Sequence, residues 1–531
     1  MKKNTFYFIS LLFLLFITRF LNLNEAPPGI NDDEVINLQP VTKLLNNHEF
    51  FWFIEDEREP LFYYLLSFYF LFFPRTMFFV RLFPAVIGSL TVLLTYYLLR
   101  QLYDTRTGYY SAVILAISNW HYHFSRLLYR AILTPITMLL VLYLTKNFYE
   151  KKKNTWFLAI ITSFFIFYIY GPAKFLVLVP ITYYLFTQEI NKHSLVRTIK
   201  LYAIVVLISL PIIIPNIFFD KGMDRTHKVV YIFKDYLSVN QKIMMFFNLM
   251  LDYVKMLFFF GCVSWQYNYP LHPLLSLFEF IFFPLGLFFS TKNKKEFLLL
   301  CLLLFFGAFT EFISFDSPNA VRSLQITPII ALISAKGFTS LINLNFFKKN
   351  FSKKQRSNYQ HSFFILLVIL SLTLNLKNYY AWSDEHGTGV TFHSNYINNI
   401  EEFFENPLLN NIHYVIKLPY NQSRTLMTMY LNFFDPKNET KYMIVKNYDE
   451  IKQDTPFFVL LELSNGLKVT CYDALLIKNS KEFWLGWFTI VKKYFKNQEE
   501  YNIFYEEMNN SCYNDTGIKN IKYFEDYIMI K

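Results

Sequence analysis

Charged residues, cysteines and glycines are all scarce in this chain of 531 residues. Only 17% of its residues are Asp, Glu, Lys or Arg, against about 25% in soluble domains, which excludes an ordinary soluble enzyme. The chain has four cysteines and 14 glycines, which excludes a disulfide scaffold and a collagen-like protein. The sequence also lacks an internal repeat, a low-complexity linker and the spacing of CxxC or His-rich metal sites. Apolar residues therefore have to account for most of the fold.

Hydrophobic and aromatic residues are abundant instead. They include 62 Phe, 39 Tyr and 7 Trp, the hydrophobic fraction is 54%, and the mean hydropathy is +0.25. Eleven apolar runs approach the length that crosses a hydrocarbon layer of ~30 Å. They lie near residues 5–23, 79–99, 109–123, 131–145, 155–170, 174–188, 201–218, 272–290, 297–314, 323–341 and 361–378. The sequence predicts a mainly α-helical, multi-pass membrane protein with about 11 transmembrane helices.

The first apolar run admits two interpretations. It extends from Thr5 to Leu23 and follows Lys2 and Lys3, so it has the basic start of both a signal peptide and a spanning helix. A spanning helix is favoured because the run is longer than a typical signal-peptide core and no small-residue cleavage site follows it.

Basic residues between the apolar runs predict the orientation. If Met1 is cytoplasmic, five loops are cytoplasmic and contain 17 Lys or Arg against 4 Asp or Glu. These loops are 100–108, 146–154, 189–200, 291–296 and 342–360. The positive-inside rule then places the N-terminus in the cytoplasm and puts residues 24–78, 219–271 and those after about 379 outside. The net charge of +11 is explained by this topology, so no nucleic-acid partner is predicted.

The composition changes after residue 378, where apolar runs shorten to strand length. We predict a membrane part over 1–378 and a small extracytoplasmic α/β domain over 379–531. Predicted strands are His413–Pro419, Lys441–Lys446, Phe457–Leu463 and Lys468–Lys478, and helix-like stretches are Ser394–Phe404 and Trp484–Phe495. Cys471 and Cys512 both fall in this domain, where an oxidising compartment would permit a disulfide between them. Cys262 and Cys301 belong to the membrane part, where small buried side chains are expected.

The first outer loop, residues 24–78, has nine acidic and three basic residues. Within it, the turn Pro27-Pro28-Gly29 is followed by three carboxylates, Asp32, Asp33 and Glu34. One interpretation is a solvated helix start, because acids are favoured at helix N-termini. The other is a general base or cation site, since neighbouring carboxylates perturb one another's pKa.

A second feature of the same loop favours the catalytic interpretation. Glu57-Arg58-Glu59-Pro60 precedes the aromatic run Leu61–Phe73, which Pro60 and Pro74 bracket. At 13 residues the run is too short to span comfortably, so we predict a helix along the interface that frames a pocket at the outer leaflet.

The order of these motifs resembles the GT-C superfamily of polytopic glycosyltransferases, and within it the protein O-mannosyltransferase and aminoarabinose transferase group (glycosyltransferase family 39). The resemblance covers about residues 1–345. It rests on the first span, the Pro-Pro and Asp-Glu loop, the Glu57–Tyr63 segment and a second span opening Arg81-Leu82-Phe83-Pro84-Ala85. Further matches are Phe124-Ser125-Arg126, Tyr168-Ile169-Tyr170-Gly171-Pro172-Ala173-Lys174, and Pro318-Asn319-Ala320-Val321-Arg322 with Pro328 downstream.

The resemblance implies transfer of a sugar from a polyprenyl or dolichyl phosphate donor at the outer membrane face. The first-loop acid of the family matches Asp33, which would activate the acceptor, with Asp32 as the alternative register and Glu34 as the paired acid. Glu57 and Arg58 match the acidic and basic positions before the Pro-Leu-aromatic segment. The implied partners are the bilayer, the lipid-linked donor, and an acceptor that is protein, lipid or glycan. The sequence indicates no cofactor besides the donor and does not specify a divalent metal.

Basic residues at the predicted outer ends of helices fit a donor phosphate independently. Arginine remains ionised and can bind two phosphate oxygens at once. The candidates are Arg58, Arg126, Arg130, Lys174 and Arg322. The alternative for each is snorkelling or contact with lipid headgroups.

Two observations and two alternative functions keep other interpretations open. Relatives often have an acid a few residues after the Ser-Arg of the second outer loop, whereas here Leu127 and Leu128 follow Arg126, which puts a second catalytic carboxylate in doubt. His121 and His123 could bind metal or serve as polar anchors. The alternative functions are a lipid-linked glycan flippase and a non-catalytic envelope scaffold. A flippase is expected to have charged residues within its membrane spans and an internal repeat.

Overall fold

A computed structural model describes residues 3–46, 48, 58–150, 156–187, 192–218, 224–342, 353–393, 413–417, 429–430, 432–434, 442–445 and 457–460. The chain divides into two compact units, Met1–Thr391 and Phe392–Lys531. Residue 378, where the sequence suggests the boundary, lies inside a helix that continues to Asp384. Cys471, Cys512, the strand Lys468–Lys478, and the helices Ser394–Phe404 and Trp484–Phe495 all lie outside the described residues.

The first unit is α-helical. Its helices are α1 (Lys3–Leu15), α2 (Asp32–Asn46), α3 (Leu61–Phe70), α4 (Met77–Leu102), α5 (Thr105–Ile117), α6 (Asn119–Phe124), α7 (Thr134–Thr145), α8 (Trp156–Tyr168), α9 (Leu178–Thr187), α10 (Lys192–Phe218), α11 (Asp224–Val229), α12 (Val239–Lys255), α13 (Leu277–Ser290), α14 (Lys294–Ile313), α15 (Thr327–Ile342), α16 (Lys353–Asp384) and α17 (His386–Thr391). Single π-helical turns extend α1, α7 and α12 as Phe16–Phe20, Lys146–Glu150 and Met256–Phe260. Short 3-10 turns are Arg130–Leu133, Gly171–Val177, Tyr231–Phe233 and Leu324–Ile326.

Each of the eleven apolar runs corresponds to helical structure, which confirms the predicted multi-pass helical class. Seven helices of the described residues are long and apolar enough to cross a membrane. They are Met77–Leu102, Arg130–Glu150, Lys192–Ile214, Val239–Phe260, Lys294–Ile313, Leu324–Ile342 and Tyr359–Asp384. A helix is also present in the predicted aromatic run, as α3, and its place along the membrane interface stays a prediction.

The core of the membrane unit lies between α4, α5, α13 and α15. Tyr110, Phe278 and Phe338 are fully buried there and pack ring against ring. Glycines allow the two central helices to approach closely, because a Cβ on Gly286 would strike Ile333 and one on Gly337 would strike Phe282. Close contact through small residues is how helices pack in membranes, where burial from water gives no driving force.

One segment differs from the sequence-based prediction. Residues 219–271 are predicted as an outer loop, but they contain α12 and its π-helical end, an apolar helix of 22 residues. Ser238 and Gln241 start this helix with a reciprocal capping box. Phe246 and Tyr253 both pack on Phe312, in the last turn of α14. The helix was missed because its apolar residues recur on one face instead of forming an unbroken run.

Three short parallel strands are described in the second unit. They are β1 (His413–Lys417), β2 (Tyr442–Val445) and β3 (Phe457–Leu460). Their order in the sheet is β2-β1-β3, with Tyr414 paired to Tyr442 and His413 to Phe457. All three coincide with predicted strands. The predicted helices of this region lie outside the described residues, so its α/β character stays a prediction.

Candidate functional site

The N-terminus of α2 sorts the three adjacent acids into different environments. The Asn31 side chain accepts a hydrogen bond from the Glu34 backbone nitrogen at 3.1 Å, and the Glu34 carboxylate accepts one from the Asn31 backbone nitrogen at 3.2 Å. This reciprocal capping fixes the first helical turn. As a result Asp32 is exposed, Asp33 is half-buried and Glu34 is fully buried.

The buried carboxylate of Glu34 is fully engaged in holding the loop together. It forms an ion pair with Arg81 and accepts a hydrogen bond from the Leu128 backbone nitrogen at 2.7 Å. Arg81 also donates to the carbonyl oxygen of Gly29 at 2.6 Å. This arrangement ties the first outer loop to α4 and to the loop after α6. Glu34, one of the predicted catalytic acids, therefore has the contacts of a positioning residue.

The Asp33 carboxylate contacts a residue far away in the sequence. Its Oδ2 accepts a hydrogen bond from the side-chain amide of Gln266 at 2.6 Å. The same amide nitrogen is hydrogen-bonded to the hydroxyl of Tyr129. Burial raises the pKa of Tyr129 well above its ordinary value, and the Asp33 carboxylate raises it further. Asp33 is therefore oriented by a neutral amide, which a neutral phenol contacts in turn.

Another buried carboxylate, that of Glu59, binds two cations. Glu59 is 3% exposed, and its two oxygens pair with Arg130 at 3.0 Å and with Lys174 at 2.7 Å. The Arg130 guanidinium also lies near the rings of Tyr63 and Tyr170, at 5.9 and 5.3 Å from their centroids. We call Glu59, Arg130 and Lys174 the cation cluster.

The neighbouring cations keep the Glu59 carboxyl in its charged form. Burial of its carboxyl opposes ionisation, but the charges of Lys174 and Arg130 outweigh this effect, so the pKa of Glu59 lies below its usual value. The carboxylate thus remains charged and keeps both cations in place.

Tyr267 lies within electrostatic range of both Asp33 and a third basic residue, Arg322. Burial raises the pKa of the Tyr267 phenol, the Asp33 carboxylate raises it further, and Arg322 acts in the opposite direction. Arg322 is partly tethered by Asp316 at 3.3 Å and by the Ser317 hydroxyl at 3.2 Å. Because the Asp33 carboxylate is also within electrostatic range of Arg130, one acid and several cations share this region.

A third buried acid shapes the loop that carries Arg322. Glu311, at the end of α14, is fully buried. It accepts hydrogen bonds from the Asn319 backbone nitrogen at 2.8 Å and from the Ser323 hydroxyl at 3.1 Å. Glu311 therefore fixes the 317–323 turn through two hydrogen bonds. Arg322 belongs to that turn.

The structure places Asp33 within electrostatic range of Arg130, which shares Glu59 with Lys174. Asp33 and Arg322 are both within electrostatic range of Tyr267. Other predicted site residues lie apart from this group. Arg126 is fully buried and donates to the carbonyl oxygens of Leu21, Asn22 and Ala26 at 2.6 to 2.8 Å. Its guanidinium is thus committed to holding the chain after α1, and it is not turned toward the cation cluster. The remaining candidates are Asp32, which is exposed, Arg58, which is half-buried, and Glu57, which lies outside the described residues.

Sequence reasoning missed four residues of the site. Glu59 belongs to the same motif as Glu57, and its place directly before Pro60 was the available signal. Tyr129, Gln266 and Tyr267 gave no signal, because only the fold brings residues 264–268 against α2. A sequence pattern cannot indicate a partner 233 positions away.

The two histidines have separate structural partners. His121 Nδ1 lies 2.8 Å from the buried guanidinium of Arg19, and His123 Nε2 lies 3.3 Å from the Gln266 carbonyl oxygen. In the described part of the chain no group of three or more His, Cys, Asp or Glu side chains is placed to hold a metal ion.

Comparisons with known proteins agree with the resemblance drawn from the motifs. Residues 57–219 match the family described as dolichyl-phosphate-mannose-protein mannosyltransferase. A search of curated sequences finds no match.

Solved structures share the fold at low sequence identity. ArnT from Cupriavidus metallidurans, bound to undecaprenyl phosphate, is 12% identical, with a TM-score of 0.51 over 84% of this chain and 86% of that one. Its apo form gives 11% identity and a TM-score of 0.50 over the same shares of the two chains. The Archaeoglobus fulgidus oligosaccharyltransferase in its apo form gives 12% identity and a TM-score of 0.50 over 84% of this chain. This chain covers 65% of that oligosaccharyltransferase.

Proposed function

We propose that this chain is a membrane glycosyltransferase of the GT-C superfamily and that it moves a sugar from a polyprenyl phosphate to an acceptor hydroxyl. The observation that carries this proposal is the meeting of Asp33 with the cation cluster. Asp33, which can accept a proton, lies within electrostatic range of Arg130, a cation of this cluster that can hold a phosphate.

The donor phosphate would bind the cations. Arg130 and Lys174 bring two positive charges, and Glu59 neutralises one of them, so the cluster has a net charge that attracts an anion. Arg322 adds a third cation near Tyr267. Charge-assisted hydrogen bonds of this kind stabilise a departing phosphate, and removing one such donor costs roughly 10²–10³ in rate.

Asp33 would activate the acceptor. The acceptor oxygen forms a bond to the anomeric carbon of the sugar while its proton moves to the Asp33 carboxylate. The bond between that carbon and the phosphate oxygen breaks, and polyprenyl phosphate leaves with the electron pair. Attack from the face opposite the phosphate inverts the anomeric centre. General-base assistance contributes about 10²–10⁴-fold, and Gln266 would orient the base for this step.

We further propose that the site faces the outside of the membrane, with the N-terminus in the cytoplasm and residues after 391 outside. The excess of Lys and Arg in the loops opposite the site supports this orientation. Protection or labelling of single cysteines introduced at Asn248 and Lys292 in sealed vesicles tests it, since the two should react from opposite sides.

The function is tested with the full chain in proteoliposomes and a radiolabelled polyprenyl-phosphate hexose. Wild type should release polyprenyl phosphate and transfer the label to an acceptor fraction, and a variant with both Arg130→Gln and Lys174→Gln should not. Asp252→Asn is the control, because Asp252 is a half-exposed carboxylate on α12 that pairs only locally with Lys255. A folded wild-type protein that neither binds nor consumes any polyprenyl-phosphate sugar would contradict the proposal.

A further inference from the structure

A cavity lies next to the 264–268 segment, which contacts Asp33 through Gln266. It has a volume of about 330 Å³ and is formed by α6, the start of α13, the end of α16 and the loop before α13. Its polar side chains are Asn119, His123, His272, Asn375 and Asn378. The volume is at the lower end of the range for small-molecule sites.

The chemistry of the lining indicates an uncharged ligand. None of the described residues that line it is Asp, Glu, Lys or Arg. The amides of Asn119 and Asn378 have both donors and acceptors, as vicinal hydroxyl groups require, whereas the Asn375 amide donates to the carbonyl oxygen of Ile117 at 2.6 Å. Aromatic rings complete the wall, including Trp382 and the stacked pair Tyr269 and His272, whose centroids are 4.3 Å apart. Amides beside flat aromatic faces fit the polar edge and the apolar face of a sugar ring.

The cavity wall also reaches the apolar surface of the protein. Phe280 and Leu374 both line it, and each is 40% exposed. They belong to α13 and α16, whose outward faces are apolar. A ligand with a sugar headgroup and a hydrocarbon chain would therefore match both the inside of the cavity and its margin.

A single residue connects this cavity to the proposed base. The backbone carbonyl oxygen of Gln266 accepts a hydrogen bond from His123 Nε2 at 3.3 Å, and the Gln266 side-chain amide donates to Asp33 at 2.6 Å. The neighbouring Trp265 carbonyl accepts a hydrogen bond from Trp382 at 2.8 Å. Occupation of the cavity would therefore bear directly on the segment that positions Asp33.

We propose that this cavity is a recognition subsite for the acceptor and that it takes the uncharged sugar of a membrane glycolipid. This inference rests on the proposed transferase function, and it adds the chemical class of the acceptor. It assigns Asn119 and Asn378, both half-buried at the cavity wall, to sugar recognition.

Calorimetric titration of the full chain in lipid nanodiscs tests the binding step, with empty nanodiscs subtracted. The probes are octyl glucoside and octyl mannoside, with octyl phosphate as the charged probe of equal chain length and a blocked threonine tetrapeptide as the peptide probe. We expect the glycosides to bind and the other two probes not to bind. Asn378→Leu and Asn119→Leu should each weaken glycoside binding about tenfold, the loss expected of one hydrogen bond.

Two control variants separate the subsite from the chemistry. Asn248→Leu makes the same change at an exposed position of α12 and should bind as wild type does. Asp33→Asn should bind glycosides normally although it lacks the proposed base. In transfer assays, Asn378→Leu should raise the KM for a glycolipid acceptor and leave the affinity for the donor unchanged.

Several results would overturn the inference. One is the absence of glycoside binding, and another is binding that Asn378→Leu and Asn119→Leu leave unchanged. Stronger binding of the peptide or of octyl phosphate would assign the cavity to another class of ligand. Transfer with an unchanged acceptor KM in Asn378→Leu would remove its role as a subsite. Failure of the proposed function gives a different result. The wild-type protein would then release no polyprenyl phosphate, whether or not it binds the glycosides.

Discussion

Replacing Glu59 with Gln should destabilise the membrane unit strongly. The carboxylate is 3% exposed and pairs with Arg130 and Lys174, so the change leaves two cations without their shared anion. Removing one partner of a buried ion pair costs about 3–5 kcal/mol. Since the Lys174 side chain is 33% exposed, water can solvate it in part, and we expect about 3 kcal/mol, the lower end of that range.

The same variant should change how stability depends on pH. The pKa of Glu59 is lowered in the folded protein because Lys174 and Arg130 outweigh the burial of the carboxyl. Its contribution is therefore complete above the unfolded pKa of about 4.3 and is lost as the pH falls through the lower, folded value. The stability difference between wild type and Glu59→Gln should be constant near neutral pH and should shrink below about pH 4.3.

Denaturant titration in mixed micelles, followed by tryptophan fluorescence, measures both effects. The control is Asp252→Asn, which removes an ion pair whose side chains are 46% and 55% exposed and which should cost only about 0–1 kcal/mol. If Glu59→Gln were as stable as the control at neutral pH, the cation cluster would not be held together as described.

Two further predictions concern residues on either side of the site. Arg322→Ala should lower the rate of sugar transfer by roughly 10²–10³ and weaken competition by free polyprenyl phosphate, while Arg322→Lys should retain part of the activity; equal activity in all three proteins would remove Arg322 from the donor site. Glu34→Gln should destabilise folding by about 3–5 kcal/mol as measured by denaturant titration, yet the protein that remains folded should still bind donor; loss of donor binding without loss of stability would show that Glu34 acts on the ligand.

The sequence was sufficient for the helical class. Apolar runs are long and continuous in α4, α14 and α15, and such runs are reliable indicators of helices in membranes. Helix α12 was not predicted because polar residues interrupt its apolar run. Its apolar residues can be recognised only by their helical spacing.

Roles within the site were harder to predict than their positions. Asp33 and Glu34 are adjacent in sequence, but helical geometry turns one toward Gln266 and the other toward Arg81. Arg126 and Arg130 look equivalent as basic residues after α6, yet one binds three backbone carbonyls and the other pairs with Glu59. Such distinctions depend on which groups the rest of the chain supplies, and a single sequence does not contain that information.

Transfer and donor binding measured on Asp33→Asn, side by side with Asp32→Asn, test the central claim most directly. The account predicts that Asp33→Asn binds polyprenyl-phosphate sugar as wild type does but transfers it about 10²–10⁴-fold more slowly, whereas Asp32→Asn loses far less because that carboxylate is exposed. Wild-type transfer by Asp33→Asn, with the donor still bound, would contradict the claim that this carboxylate accepts the proton from the acceptor.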